Sequence, residues 1–333
     1  MLKIISTCWP WDHGYLSADH VLTHLEALGA DEVCIRDPVY YGHYDDPDDP
    51  TFHDRLVSGA RSRGMGVSLW VPVSLVYPHD QARAIQVEYD RYEPDRVILD
   101  AERRWVNNYG PNTRRFLEAL GVMPCPVGLS SYRRPSLHTE VRWQTWLTTK
   151  VDGQYVIDFQ ASQLYPLGWM SAAGWVYQYR LDIDDNERQH RLAGRPDIPW
   201  LPFVPAFTEG VDPYGNPWYP RVDGLSAAMD YMATRLGPRL LGLNWWSLDQ
   251  NMAVDPRLRP VYDYVAGAIP PPVAYQATVK ASVLNVRAGP GIEFAKVRQV
   301  KYGALVTIFE STVSGWGRIG EGEWVSLAWV TRT

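Results

Sequence analysis

The feature that most constrains this chain is the recurrence of short apolar runs separated by stretches of helical spacing. The runs fall at 2–8 (LKIISTC), 32–37 (EVCIRD), 66–73 (GVSLWVPV), 95–102 (DRVILDAE), 126–132 (PVGLSSY), 155–160 (YVIDFQ), 200–207 (WLPFVPAF) and 240–247 (LLGLNWWS). They are continuous rather than alternating, as parallel strands covered on both faces should be. Between them, Ser17–Leu28 reads as a helix with Ser17 at its N-cap and Gly29 just past its end, and Gly224–Leu236 carries apolar residues at helical spacing. Eight such units over about 265 residues fit a (β/α)8 barrel, which needs about 250. An open doubly wound sheet would place a glycine-rich phosphate loop after its first strand, and none follows Cys8.

The pattern changes at AIPPPVAYQ. Pro270, Pro271 and Pro272 cannot continue a helix and favour extended geometry. The expected organisation is a barrel over 1–267, a proline-rich linker over 268–274 and a second unit over 275–333. In that second unit, period-two segments (ATVKASVLNV, AKVRQV, ALVTIFE, EWVSLAWV) are separated by Gly and Pro clusters, which predicts a small all-β barrel.

Composition narrows the function. The net charge is -6 and the basic residues are not clustered, so nucleic acid is not an expected partner. No stretch reaches the length of a membrane span, and the N-terminal apolar run is too short for a secretion signal. Localisation stays open on this reading. Three cysteines (Cys8, Cys34, Cys125) without a CxxC spacing read as buried thiols, and no HExxH or GxSxG element occurs. The acidic stretch His43–Pro50 lacks the glycine and spacing of a calcium loop and reads as a solvated loop. No metal or cofactor is expected. The chain holds 15 Trp and 20 Tyr against 7 Phe. Rings with an apolar face and a polar edge suit sugars, although many of them also fill cores.

In a (β/α)8 barrel the chemistry lies at the C-terminal ends of the strands. The polar and aromatic residues expected there include Trp11, Asp12, Arg36, Tyr132, Gln163, Tyr165, Asn244, Trp246 and Asp249 as substrate contacts. The strongest element is ILDAE, Ile98–Glu102. Side chains alternate along a strand, so Asp100 and Glu102 share the inward face. Two close carboxylates repel when both ionise, which keeps one protonated at higher pH. A protonated carboxyl is what a glycosidic leaving oxygen needs, so Glu102 reads as general acid and Asp100 as the neighbour that tunes it. The bland alternative is a pair of solvated loop acids.

This DxE at the end of the fourth strand resembles family 25 lysozymes and, more loosely, family 18 chitinases, both glycoside hydrolases built on a TIM barrel. GLNWWSLDQ resembles the Trp-bearing last strand of family 18 barrels, where Trp246 would floor the sugar. Tyr165 matches a residue those families place near the reacting carbon. The fuller chitinase motif carries a further Asp two residues before Asp100. That position is Ile98 here, whereas Asp95 matches the motif's first Asp. Family 25 lysozymes have an Asp within the first strand, and the nearest here is Asp12, beyond it. Retaining glycosidases that pair acids on strands 4 and 7 offer Glu209 as a nucleophile opposite Glu102, but Ala101 stands where that group has Asn. A route assisted by the substrate's own N-acetyl group would need only the strand-4 acids.

The C-terminal element LNVRAGPG (Leu284–Gly291), followed by Gly303, GWGRI (Gly315–Ile319) and EWVSLAWV (Glu323–Val330), is similar to bacterial SH3-type domains. That resemblance implies a module tethering an enzyme to peptidoglycan or another wall component. Trp316, Trp324 and Trp329 read as core, groove or both. The sequence therefore points to a glycoside hydrolase acting on cell-wall polysaccharide, muramidase- or endolysin-like by that resemblance. The alternative is a non-catalytic wall-binding or structural protein with a degenerate barrel.

Overall fold

A computed structural model describes residues 3–8, 17–36, 51–102, 111–165, 170–205, 220, 222–246, 259–265, 275–289, 291–292, 294–308, 310–311, 316–320 and 322–332. Eight parallel strands each precede a helix. They are β1 (Lys3–Cys8), β2 (Glu32–Arg36), β3 (Gly66–Pro72), β4 (Arg96–Asp100), β5 (Val127–Ser130), β6 (Phe159–Gln160), β7 (Phe203–Pro205) and β8 (Gly242–Trp246). The helices are α1 (Ala18–Ala27), α2 (Phe52–Ser62), α3 (Pro78–Tyr92), α4 (Pro111–Leu120), α5 (Trp143–Thr148), α6 (Ala172–Leu192), α7 (Val222–Leu236) and α8 (Arg259–Val265). The sheet runs β6-β5-β4-β3-β2-β1-β8-β7. Backbone bonds from Leu201 N to Gln160 O (2.7 Å), Phe203 N to Ser162 O (3.0 Å) and Leu164 N to Phe203 O (2.9 Å) join β6 to β7 and close the ring. The (β/α)8 barrel read from the sequence is the fold.

Local chemistry explains the elements. In α4, Thr113, Phe116, Leu117 and Leu120 are buried at the spacing of one helix face. Ser171 caps α6, its Oγ accepting from Gly174 N at 3.2 Å. Gly29 follows α1 with φ +66°, the left-handed position foreseen for it. Two strands start well inside their runs: β7 begins only at Phe203 of the run 200–207, and β6 covers only 159–160 of the run 155–160. Tyr155 belongs instead to a hairpin of Lys150–Val151 with Gln154–Tyr155. Asp152 and Gly153, both at positive φ, make its turn, and this Asp-Gly signal outweighs the apolar run that follows.

The large core lies between sheet and helices. A second apolar layer fills the barrel itself: Cys34, Trp70, Ile98, Phe159, Ala161, Leu201 and Phe203. The barrel is therefore plugged rather than open. Cys34 and Cys125 are buried, as expected of structural thiols, and burial pushes the Cys125 thiol up to about 11. Among the described residues no helix is long and apolar enough to cross a membrane. The proline-rich stretch 268–274 and the acidic stretch 43–50 lie outside the described residues.

The C-terminal unit is all-β and antiparallel. Its strands are β9 (Tyr275–Val279), β10 (Val283–Arg287), β11 (Lys296–Lys301), β12 (Leu305–Ile308), β13 (Glu310–Ser311), β14 (Trp316–Gly320), β15 (Glu323–Ser326) and β16 (Val330–Arg332). They form one sheet ordered β12-β9-β16 and another ordered β11-β10-β15-β14-β13. Ala277, Val279, Leu284, Val286, Val306, Ile308, Val325 and Val330 make its core. The arginine of LNVRAGPG is structural. Arg287 Nη1 donates to Ile292 O and Phe294 O, both at 2.7 Å, and pins the turn that follows.

Candidate active site

The strand-4 acids meet where the barrel geometry requires. Asp100 ends β4, opposite Pro72 on β3 and Ser130 on β5, and is only 2% exposed. Glu102 follows two residues later and is partly exposed. The side chain that brings the two together is Gln163. Its Nε2 donates to Asp100 Oδ1 at 3.0 Å and Glu102 Oε1 at 2.7 Å, with Ser130 Oγ at 3.4 Å. Three of the residues expected at the site are thus in direct contact. A solvated, independent pair of acids is not what the chain forms.

Gln163 and Tyr165 are held from outside the barrel. Gln163 bridges Tyr132 on one side and Phe203 on the other. The buried Tyr179 of α6 donates its hydroxyl to Leu164 O at 2.9 Å. Arg133 Nη1 donates to Tyr165 O at 3.0 Å, and Asn186 of α6 holds Arg133 O at 2.7 Å. Tyr165 packs against the apolar plug. Tyr132, at the end of β5, stacks on His138 with centroids 3.6 Å apart and planes at 16°. His138 Nδ1 lies 3.3 Å from Glu140 Oε1. Sequence reading missed Arg133, His138, Tyr179 and Asn186. These residues act across separations of 6 to 53 positions, and no short motif links them.

Asn244 is fully buried in β8, in register with Phe203. Arg36 ends β2 and Trp246 ends β8, each paired through its backbone, so both stand at the expected strand ends. Their side chains, and the whole of Trp11, Asp12, Glu209 and Asp249, lie outside the described residues. Asp95, at the opposite end of β4, accepts from Val67 N at 2.8 Å and supports the strand rather than the site. Among the described residues no cluster of His, Cys, Asp or Glu could hold a metal ion.

The class defined here is a plugged (β/α)8 barrel with an acid pair at the strand C-terminal end, the end where such barrels carry their chemistry. Comparison with solved structures gives the same fold. The catalytic domain of a chitinase from Pyrococcus furiosus superposes with a TM-score of 0.53 at 11% identity, covering 75% of this chain and 85% of that one. A family 18 chitinase from Cycas revoluta gives 0.52 at 11%, covering 80% and 99%. A chitinase from Bacteroides thetaiotaomicron gives 0.51 at 10%, covering 80% and 96%. Residues 282–331 match the bacterial SH3 domain family. No curated protein sequence matches the chain.

The SH3-type unit carries an open cleft of about 520 Å³. Lys280, Asn285, Arg287, Ile292, Trp316 and Trp329 are among its lining residues. Trp316 is buried, whereas Trp329 is 55% exposed.

Proposed function

We propose that residues 1–267 are a glycoside hydrolase acting on bacterial cell-wall polysaccharide, joined through 268–274 to a wall-binding module at 275–333. The observation that carries the reading is the gathering of Asp100 and Glu102 by one amide at the catalytic end of the barrel. Glu102, the more exposed of the two, is the general acid. Its proton passes to the glycosidic oxygen as the bond from that oxygen to the anomeric carbon breaks. The positive charge left on the sugar is taken by the carbonyl oxygen of its own N-acetyl group, which the Asp100 carboxylate favours electrostatically. Water then adds at the anomeric carbon and returns a proton to Glu102. Peptidoglycan sugars carry the required N-acetyl group, which supports a muramidase- or endolysin-like specificity. The likeness to chitinase barrels supports the same chemical class of substrate.

The module would supply attachment. Its cleft offers the exposed indole of Trp329 together with Lys280, chemistry suited to the carboxylate-bearing peptides of a wall.

Release of reducing ends from purified peptidoglycan and from chitin oligomers tests the reading, with wild type beside Glu102→Gln. The expected outcome is a loss of about 100-fold or more in the variant with its fold intact. If wild type releases nothing yet still binds walls, the barrel is a non-catalytic binding part and this proposal is wrong.

A further inference from the structure

We infer that Gln163 is a positioning residue for the strand-4 acid pair: its amide holds Asp100 beside Glu102 and fixes which carboxyl oxygen of Glu102 carries the transferable proton. The inference deepens the glycosidase reading and rests on it for its catalytic consequence.

The chemistry follows from the donor inventory. A carboxamide nitrogen has two N–H groups and accepts nothing. Gln163 Nε2 has two carboxylate oxygens within bonding distance, Asp100 Oδ1 at 3.0 Å and Glu102 Oε1 at 2.7 Å, so each acid takes one N–H. Both of those oxygens are engaged as acceptors. A proton on Glu102 therefore sits on Oε2, the oxygen turned away from the amide. Because the amide does not titrate, this assignment holds at every working pH.

The surroundings favour the arrangement. Asp100 is buried, and its same-face neighbour on the strand is Ile98, part of the apolar plug and without a donor. A buried carboxylate needs donors to stay charged. Gln163 supplies one from the side. The fork is also stiff at its base. Gln163 N donates to Ser131 O at 3.0 Å, and the next carbonyl is fixed by the buried Tyr179 hydroxyl. A donor on a pinned backbone imposes geometry on two flexible carboxyl groups rather than following them.

The experiment is a pair of measurements on the full chain. Gln163→Met keeps length and removes both N–H groups, and Gln163→Glu keeps shape and replaces the donor by an acceptor. Carbon-13 carboxyl NMR, without substrate, follows the titration of Asp100 and Glu102. In both variants the midpoints are expected to move upward by roughly half a pH unit or more, in Gln163→Met because a donor to the ionised forms is gone, and further in Gln163→Glu because a like charge is added. On a soluble oligosaccharide, kcat is expected to fall roughly tenfold or more with KM changed less than about threefold, and the pH optimum to move up. Midpoints that superimpose on wild type in the variants that fold would overturn the inference. The titration needs no turnover, so a wild-type protein that cuts no glycan defeats the glycosidase reading while the role of Gln163 is still decided.

Discussion

His190 of α6 is wholly buried, with Nε2 3.3 Å from Gln160 Oε1 and its ring edge-on to Trp200. Burial, with Arg195, Arg239 and Arg191 nearby, lowers its pKa to about 3. The folded chain therefore keeps this imidazole neutral while the unfolded chain protonates it near its ordinary value of about 6.5. Its contribution is fully present above that value. It is lost at about 1.4 kcal/mol per pH unit as pH falls, until the loss is complete at about 3. His190→Gln, which keeps a side chain that can bond Gln160, should flatten the decline of unfolding free energy between about pH 6 and about pH 4. Parallel urea titrations of the two proteins across that range check this, and parallel declines would remove His190 as the cause. At this same scale the nearness of Asp100 and Glu102 was legible in the sequence, because they stand two residues apart where a strand ends. Gln163 was legible only as a polar residue at a strand end. Its fork was not, because it spans more than sixty positions and depends on how strands 4 and 6 are staggered.

At the scale of elements, β5 and β6 pack so closely that a glycine is needed between them. A Cβ at Gly128 would fall 2.3 Å from the Phe159 ring, which is buried in the apolar plug and cannot withdraw. Gly128→Ala should cost about 1–3 kcal/mol, read as a lower thermal midpoint, and the displaced strand should weaken activity through Ser130. An unchanged midpoint would show that the plug yields. The eight strands were legible because continuous apolar runs of strand length are hard to use otherwise. The error at 155–160 came from reading hydrophobicity over turn chemistry: the Asp152–Gly153 turn draws Tyr155 into a hairpin.

At the scale of the whole molecule, the proposal joins a barrel that cuts to a module that holds. If attachment runs through the cleft, Trp329→Ala should weaken binding to purified walls by about tenfold and slow wall hydrolysis, while hydrolysis of soluble oligosaccharide stays at the wild-type rate. Co-sedimentation with walls and an oligosaccharide assay on the same preparation separate these effects. Equal loss on both substrates would place Trp329 in stability rather than attachment. The exposure of this one indole was not readable from the sequence: Trp329 stands among apolar neighbours and is exposed, whereas Trp316 stands between Gly315 and Gly317 and is buried. The plug of the barrel has its own consequence at this scale. Because Ile98, Phe159, Leu201 and Phe203 seal the interior beneath the acids, water and hydronium reach them from the mouth of the barrel. If the glycosidase reading holds, substrate, water and product share that one opening, so a ligand lodged at the mouth would stop entry and exit together.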